Sequence, residues 1–155
     1  MKLRIPAWLR LAIICVAVGG MLGVVNSITK GPIAQRALES ANASRYACFP
    51  GADAFEEIAL PEGSTVDGCY TAMQNGNQIG YVTQVTVTGF GGPVEIHVGM
   101  DLEGTITGIS VGGAKFSETP GLGAKSKEPA FTDQFAGLTI PTQVGNNVDA
   151  ITGAP

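Results

Sequence analysis

The sequence predicts an α+β protein in which a single N-terminal transmembrane helix is followed by a domain built on an antiparallel sheet. Two observations support this class: an uncharged apolar run near the N-terminus, and two later pairs of alternating apolar segments that are joined by turn sequences. The 155 residues suffice for one such domain behind the apolar run.

The apolar run covers residues 11–29 and contains no charged side chain. As a helix these 19 residues would extend about 28 Å, which is just enough to cross the hydrocarbon core of a lipid bilayer. Lys2, Arg4 and Arg10 precede the run, whereas Lys30 alone follows it closely. Because basic residues favour the cytoplasmic side, we expect a cytoplasmic N-terminus and an extracytoplasmic C-terminal domain.

A cleaved signal peptide is the competing interpretation of this charged start and apolar run. No convincing small-x-small cleavage site follows Val25, and Cys15 lacks the preceding small residue typical of a lipid-modified cysteine. We therefore expect an uncleaved, single-pass anchor in the inner or plasma membrane. The predicted organisation is residues 1–30 as cytoplasmic N-terminus and anchor, 31–45 as a stalk helix, and 46–155 as the extracytoplasmic domain.

Charge differs sharply between the two parts of the chain. Residues 1–45 carry six basic side chains and one carboxylate, a net charge of +5, whereas residues 46–155 carry three lysines and twelve carboxylates, a net charge of −9. Such an acidic domain argues against a nucleic-acid partner and against binding flat on anionic lipid, since both need a basic surface.

The cysteines and the single histidine predict structural roles rather than catalysis or metal binding. Cys15 lies in the anchor as a small apolar residue. An extracytoplasmic location favours a disulfide between Cys48 and Cys69, two free buried thiols are the second possibility, and a metal pair has least support because no CxxC or histidine cluster is present. His97 lies in an alternating segment and is predicted to be an ordinary strand side chain.

Turn and periodicity signals give the element order. Gly31-Pro32 is predicted to break the first helix or mark its restart, and residues 46–67 show no regular pattern. Four strands in meander order and one short helix follow. The predicted amphipathic stalk helix covers Ile33–Ser44. The predicted strands are Cys69–Met73, Ile79–Thr88 after the Asn75-Gly76-Asn77 turn, Pro93–Met100, and Thr105–Val111 after the Asp101–Gly104 turn. The predicted short helix, Pro129–Phe135, packs Phe131 and Phe135 onto the sheet.

Three glycine-rich segments stand outside these elements: residues 89–93, 117–125 and 149–154. In the second, Pro120 fixes one backbone angle while Gly121 and Gly123 accept positive φ, so main-chain N–H groups can approach a flat or phosphorylated ligand. A tight surface turn is the alternative on spacing alone. Together with the anchor, these loops suggest a membrane-tethered cofactor carrier.

Four segments in the same order resemble the FMN-binding domain of Rnf-type complexes, which are ion-translocating ferredoxin:NAD oxidoreductases. They are residues 89–95, 101–106, 118–125 and 149–154. The chain is similar to the G subunit of those complexes, and beyond it to the C subunit of the sodium-pumping NADH:quinone reductase. The resemblance covers roughly residues 8–155 and includes the single anchor.

The resemblance implies an FMN cofactor joined through its phosphate to a threonine in a Ser/Thr-Gly-Ala-Thr motif. Thr152, Gly153 and Ala154 match the first three positions, but Pro155 takes the fourth and has no hydroxyl. Three alternatives follow: an incomplete or altered C-terminus, a flavin held without the ester, or attachment to another hydroxyl such as that of Thr152. The implied partners are the other membrane and redox subunits of the complex, which moves Na⁺ or H⁺.

The expected cofactor-binding residues are Glu118, Thr119, Gly121, Leu122, Gly123, Lys125, Thr152, Gly153 and Ala154. Leu122 is predicted to lie against the isoalloxazine, with a core plug as its alternative role. Thr119 and the two glycine amides would bind the ring edge or ribityl chain. Lys125 would offset the negative charge gained on reduction, with a solvated surface lysine as its alternative role. Glu118 would orient the loop or contact the ribityl hydroxyls, while Asp149 would brace its own turn rather than touch the phosphate.

The expected function is electron relay by a flavoprotein subunit that shows little turnover alone, because the chain offers no acid–base pair for substrate chemistry. Two other functions fit the same anchored arrangement. One is a non-redox assembly or ligand-binding module, and the other is an FMN-binding redox or regulatory protein outside an ion pump.

Overall fold

The computed structural model describes residues 6–143 and 145–153. The chain divides into two compact units, the first ending at Leu38 and the second beginning at Glu39. Nine elements follow one another along the described chain: α1 (Ala7–Cys48), β1 (Ala54–Ile58), β2 (Gly68–Gln74), β3 (Asn77–Thr88), β4 (Pro93–Asp101), β5 (Ile106–Gly112), a 3₁₀ turn (Gly123–Lys127), α2 (Pro129–Thr132) and a second 3₁₀ turn (Asp133–Phe135).

Helix α1 is continuous over 42 residues and is long and apolar enough to cross a membrane by length and composition. The predicted break at Gly31-Pro32 is wrong, because the helix runs through Pro32. A proline inside a helix removes one backbone hydrogen bond, here the bond to the carbonyl of Ile28, and the helical turns on both sides persist. Ile33 and Leu38, predicted to form the apolar side of a separate stalk, are exposed.

The stretch between residues 46 and 67 is more regular than its sequence suggests. Helix α1 extends to Cys48, and β1 pairs antiparallel with β2, with Ala54 opposite Met73 and Ile58 opposite Cys69. The adjacent Glu56 and Glu57 interrupt the apolar alternation by which strands are recognised. Charged side chains are common on edge strands, since they discourage pairing with another chain, and β1 is the edge of this sheet.

The five strands form one antiparallel sheet in the order β1-β2-β3-β4-β5, which confirms the predicted meander and adds β1 to it. The β2–β3 turn has φ of 51° at Asn75 and 77° at Gly76, as expected for a type I′ hairpin. At the β4–β5 turn, Asp101 Oδ1 accepts the N–H groups of Glu103 and Thr105 at 3.0 and 2.7 Å. Both turns therefore form where the sequence predicts them.

The main core lies between the C-terminal end of α1 and one face of the sheet. Its buried members are Cys48, Phe49, Ala52, Ala72 and Val82. Glycine on the sheet leaves room for the helix end, because a Cβ on Gly99 would lie 2.6 Å from the carbonyl oxygen of Cys48. The Thr107 hydroxyl also donates to that oxygen at 2.7 Å. The last turn of α1 is thus part of the folded domain.

Cys48 and Cys69 are both free, so the disulfide favoured on sequence is not formed. The second alternative, two free buried thiols, holds for Cys48 only, because Cys69 is half-buried. Tyr70 and Ala72 of β2 face the core, so Cys69, which lies between Gly68 and Tyr70, points to the opposite face of the sheet. Cys48 instead donates its thiol to the His97 carbonyl at 3.3 Å. Burial raises the pKa of the Cys48 thiol to about 12, which keeps it protonated.

His97 is more unusual than the predicted strand side chain. It is 2% exposed, and its Nε2 atom has no hydrogen-bond partner among the described residues. Burial first, and then the positive charge of Arg45, lower the pKa of His97 to about 4. The Arg45 guanidinium itself stacks on the Tyr70 ring, 3.7 Å from its centroid.

This histidine predicts acid sensitivity of the domain. The pKa of His97 rises from about 4 in the folded state to 6.5 when unfolded, so its contribution to stability is complete above pH 6.5 and is lost as pH falls towards 4. The lost free energy of unfolding is up to about 3 kcal/mol. Denaturant unfolding in detergent, followed by tyrosine circular dichroism, should show that the free energy of unfolding decreases as the pH is lowered from 6.5 to 5.

A matched variant isolates the histidine, which is the only one in the chain. His97→Gln should unfold with little dependence on pH over the same interval, because glutamine does not titrate. An equally steep pH dependence in His97→Gln would assign the effect to other groups.

The predicted helix at Pro129–Phe135 is confirmed as helical but is shorter. Residues 129–132 form α2, and 133–135 tighten into a 3₁₀ turn. Phe131 and Phe135 meet edge to face with centroids 5.4 Å apart, and this segment packs against β5. The 3₁₀ turn also contacts the C-terminal segment, because Gln134 Oε1 accepts the backbone N–H of Asp149 at 2.7 Å.

Candidate functional site

The first glycine-rich segment, residues 89–93, comprises the turn between β3 and β4 and the first residue of β4. The N–H of Gly89 donates to the carbonyl of Gly92 at 2.9 Å, which closes the turn, and Gly92 has φ of 146°. A Cβ on Gly91 would lie 2.7 Å from the carbonyl carbon of Ser117. Backbone of the second segment therefore packs directly on the first, at a distance that only glycine permits.

The second segment, residues 117–125, is a compact loop held by its own backbone. The N–H groups of Leu122 and Ala124 both donate to the carbonyl of Thr119 at 3.1 Å, and that of Lys125 donates to Leu122 at 3.0 Å. Gly121 has φ of 80°, in the region that glycine adopts without strain. The N–H groups of Gly121 and Gly123 are not among these donors.

The third segment, residues 149–153, approaches the second. A Cβ on Gly153 would lie 3.4 Å from a methyl carbon of Leu122, so the leucine side chain is beside the terminal motif. The backbone N–H of Asp149 donates to Gln134 Oε1 at 2.7 Å, which ties this segment to the turn after α2. Ala154 and Pro155 lie outside the described residues.

Glu118 connects the first two segments. Its Oε1 atom accepts the N–H of Gly91 at 3.0 Å, which is the loop-orienting role expected from the sequence. The carboxylate lies so close to Gly89 that a Cβ there would overlap Oε1, and a Cβ on Gly123 would lie 2.6 Å from Oε2. Two glycines thus leave the space that this carboxylate occupies.

Two adjoining cavities open among the three segments. The first, about 210 Å³, is lined by Gly89, Phe90, Val94, Glu118, Gly123, Ser126 and Ile151. The second, about 230 Å³, is lined by Lys125, Glu128, Ala130, Phe131, Gln134, Asp149, Ala150, Ile151 and Thr152. Ile151 borders both. Each is smaller than the roughly 300–1,000 Å³ of typical small-molecule pockets, so a ligand of that size would occupy both.

The two cavities differ in chemistry. The first has apolar walls in Phe90, Val94 and Ile151, with one carboxylate. The second has a lysine, two carboxylates, an amide and a hydroxyl. Among the described residues Lys125 is the only cation that lines either one, since Lys127 lies over the Phe116 ring at 4.7 Å. The pair suits a ligand with a flat apolar part and a polar, anionic part.

The structure brings together most, but not all, of the predicted site residues. Glu118 and Gly123 line the first cavity, Lys125 and Thr152 line the second, and Leu122 is 40% exposed beside Gly153. Thr119 and Gly121 are exposed and line neither cavity. The predicted site residue Ala154 cannot be placed, because it lies beyond the described chain.

Several cavity residues were missed. Phe90 is 86% exposed at the first cavity, and an aromatic side chain within a glycine-dense loop is a signal that could have identified it. Ile151 lies between two residues of the terminal motif and could have been inferred from its position there. Gln134 and Ser126 carry no sequence signal, because only the fold brings them to the cavities.

No group of three or more histidine, cysteine, aspartate or glutamate side chains that could hold a metal ion occurs within residues 6–143 and 145–153. The donors present are backbone amides, one lysine and hydroxyl or amide side chains, and the first cavity adds apolar surface from Phe90, Val94 and Ile151. These features fit a phosphorylated flavin, which needs a face to stack on and amides for its polar edges.

The comparisons with known proteins agree with this chemistry. Residues 89–154 match the family of FMN-binding domains, and this stretch includes all three glycine-rich segments up to Ala154. Fold and site therefore define an FMN-binding domain behind an apolar N-terminal helix. The chain is 30% identical to the G subunit of the ion-translocating oxidoreductase complex of Methanosarcina acetivorans, over 93% of this chain and 81% of that protein.

Two further relatives carry similar names. The G subunit of the Na⁺-translocating ferredoxin:NAD⁺ oxidoreductase complex of Acetobacterium woodii is 29% identical over 86% of this chain and 74% of its own length. The G subunit of the proton-translocating ferredoxin:NAD⁺ oxidoreductase complex of Clostridium ljungdahlii is 28% identical over 93% and 78%. The chain belongs to the family of G subunits of ion-translocating oxidoreductase complexes. Its family and its apolar helix together indicate membrane association.

Proposed function

We propose that this chain is the membrane-anchored flavoprotein subunit of an ion-translocating ferredoxin:NAD oxidoreductase and relays electrons through one FMN. The observation that carries the proposal is the meeting of three glycine-rich segments around two adjoining cavities, within the region that matches FMN-binding domains. Its partners are the other membrane and redox subunits of such a complex. The bound flavin supplies the redox chemistry, while the protein positions it.

In this proposal the isoalloxazine occupies the first cavity. Phe90, Val94 and Ile151 supply apolar surface there, and the exposed Leu122 side chain lies at the neighbouring terminal motif. Flat aromatic ligands bind well between such side chains because the contact removes apolar area from water. Of the predicted amide donors, those of Gly121 and Gly123 are outside the hydrogen bonds that hold the loop.

The ribityl chain and phosphate occupy the second cavity. Lys125 attracts the phosphate, and the Thr152 hydroxyl and the Gln134 side chain can hydrogen-bond polar atoms of the ligand. The backbone N–H of Asp149 donates to Gln134 Oε1, which holds the terminal segment against the turn after α2, and its carboxylate is not assigned a contact with the phosphate. Glu128 and Asp149 add negative charge beside the lysine, so Lys125 is the residue on which phosphate binding depends most.

The orientation of the domain is also part of the proposal. In the proposal the N-terminus lies in the cytoplasm, residues 11–29 cross the bilayer and residues 46–155 lie outside the cytoplasm, and the basic residues before the apolar run support this orientation. Protease added to intact spheroplasts should then digest the domain and spare a tag at the N-terminus. Digestion of the N-terminal tag alone would reverse the orientation.

Flavin content of the purified full-length protein tests the proposal. The protein in detergent should be yellow, or become so when incubated with FMN, with one flavin per chain. A band that fluoresces under ultraviolet light on a denaturing gel would indicate covalent attachment, and flavin released into the supernatant would indicate tight non-covalent binding. A folded protein that takes up no flavin under either condition would contradict the proposed function.

A further inference from the structure

We infer that Glu118 is a positioning residue that holds the two loops of the flavin site together, and that its negative charge lowers the reduction potential of the bound flavin. The inference rests on the proposed function, because it assumes a flavin ring in the first cavity.

The positioning role follows from one hydrogen bond across two loops. Glu118 belongs to the second glycine-rich segment, and its Oε1 atom accepts the N–H of Gly91 in the first, 27 residues earlier, at 3.0 Å. A carboxylate is a stronger acceptor for a backbone N–H than a neutral group is. This bond and the packing of Gly91 on the Ser117 backbone fix one loop against the other.

The surroundings of the carboxylate are shaped to receive it. Any side chain at Gly89 would overlap Oε1, and a Cβ at Gly123 would lie 2.6 Å from Oε2. Glu118 is half-buried and forms part of the wall of the first cavity, beside Phe90 and Val94. The negative charge is therefore held at the cavity and is not free to swing into solvent.

Within the described part of the chain, no cation neutralises this charge. Glu118 forms no ion pair with any of the described residues, and of the three lysines in residues 46–155 Lys115 lines neither cavity. Lys125 lines the second cavity, and Lys127 lies over the Phe116 ring. The carboxylate thus faces the first cavity with a backbone N–H as its partner and apolar side chains around it.

Such a charge matters because reduction adds negative charge to a flavin. A carboxylate in the cavity wall repels that charge, and the apolar walls reduce screening by water. The oxidised flavin is then favoured and its reduction potential is lowered. Glu118→Gln keeps the shape of the side chain and an oxygen that accepts the Gly91 N–H, but removes the charge.

The experiment is a reductive titration of the FMN-loaded, full-length protein in detergent against a reference dye. Glu118→Gln should retain its flavin and have a reduction equilibrium constant about tenfold larger than the wild type, which is about 59 mV for a one-electron couple. Glu118→Asp keeps the charge but is too short to reach Gly91. It should therefore lose flavin affinity while its potential stays close to that of the wild type.

Glu103→Gln is the matched control, because it removes the same charge at the opposite end of β4. The nine residues of β4 separate the two ends by roughly 30 Å. This distance is well beyond the screening length of salt, so a charge at one end has little effect at the other. Its potential should equal that of the wild type.

An unchanged potential in flavin-loaded Glu118→Gln would overturn the inference, as would complete loss of flavin from this isosteric variant. A wild-type protein that binds no FMN would instead refute the proposed function.

Discussion

Replacing Gly91 with alanine should weaken flavin binding, with a loss of at least tenfold in affinity for FMN. The new Cβ would lie 2.7 Å from the carbonyl carbon of Ser117 and 3.3 Å from the Cα of Glu118. These are backbone atoms, which cannot rotate away as a side chain can. The two loops would separate, the bond between Gly91 and Glu118 would break, and overpacking of this kind costs about 1–3 kcal/mol of stability. Titration of the full-length protein with FMN measures the effect.

Gly51→Ala provides the control for this variant. Its Cβ would meet only the Gln74 side chain at 3.6 Å, an ordinary van der Waals contact, and it lies in the turn before β1. This variant should bind FMN like the wild type. Normal binding in Gly91→Ala would show that close packing of the two loops is not needed for the flavin site.

Gly99→Ala should destabilise the folded domain by about 1–3 kcal/mol without contacting the flavin site. The Cβ would lie 2.6 Å from the carbonyl oxygen of Cys48 and 2.5 Å from the Thr107 hydroxyl, which donates to that oxygen. The end of α1 would have to move away from the core that it forms with Phe49 and Val82. Denaturant unfolding in detergent, followed by the tyrosine signal, measures the loss.

Gly112→Ala on the neighbouring strand is the matched control. There the Cβ would meet only the end of the flexible Lys127 side chain, at 3.2 Å, which can shift at little cost. Its stability should lie within about 0.5 kcal/mol of the wild type. Equal stability of the two variants would show that the helix end is not tightly seated on the sheet.

Local chemistry explains which parts of the fold could be predicted. The four strands β2 to β5 and their turns follow from alternation and from short signals such as Asn75-Gly76, whose positive φ values a type I′ turn requires. Strand β1 escaped prediction because Glu56 and Glu57 hide its alternation, and only its pairing with β2 reveals it. Helix α1 passes Pro32 because the penalty of one proline is local while the helix is long.

The arrangement of side chains across the sheet could not be predicted from spacing. A disulfide between Cys48 and Cys69 depends on which face of β2 carries Cys69, and that depends on register. Burial of His97 likewise depends on the helix end that covers its face of the sheet. The face that carries Cys69 and the burial of His97 are both set by tertiary structure. The alternating sequence pattern around each residue would be the same on either face of the sheet.

The candidate site was partly visible in the sequence because glycine marks the places where backbones approach closely. This signal identified residues 89–93, 117–125 and 149–154, and Glu118 of the second segment accepts the backbone N–H of Gly91 in the first. It did not identify Gln134 or Ser126, which reach the cavities only through folding. The placement of Leu122, Thr119 and Lys125 on the flavin stays a prediction.

The central claim is that FMN lies between the three glycine-rich segments, and amide chemical shifts of the full-length protein in detergent micelles test it most directly. Addition of FMN should shift the amide signals of residues 89–92, 117–125 and 149–153, and leave those of the β4–β5 turn at residues 101–105 unchanged. Shifts confined to the β4–β5 turn, or no shifts at saturating FMN, would contradict the account.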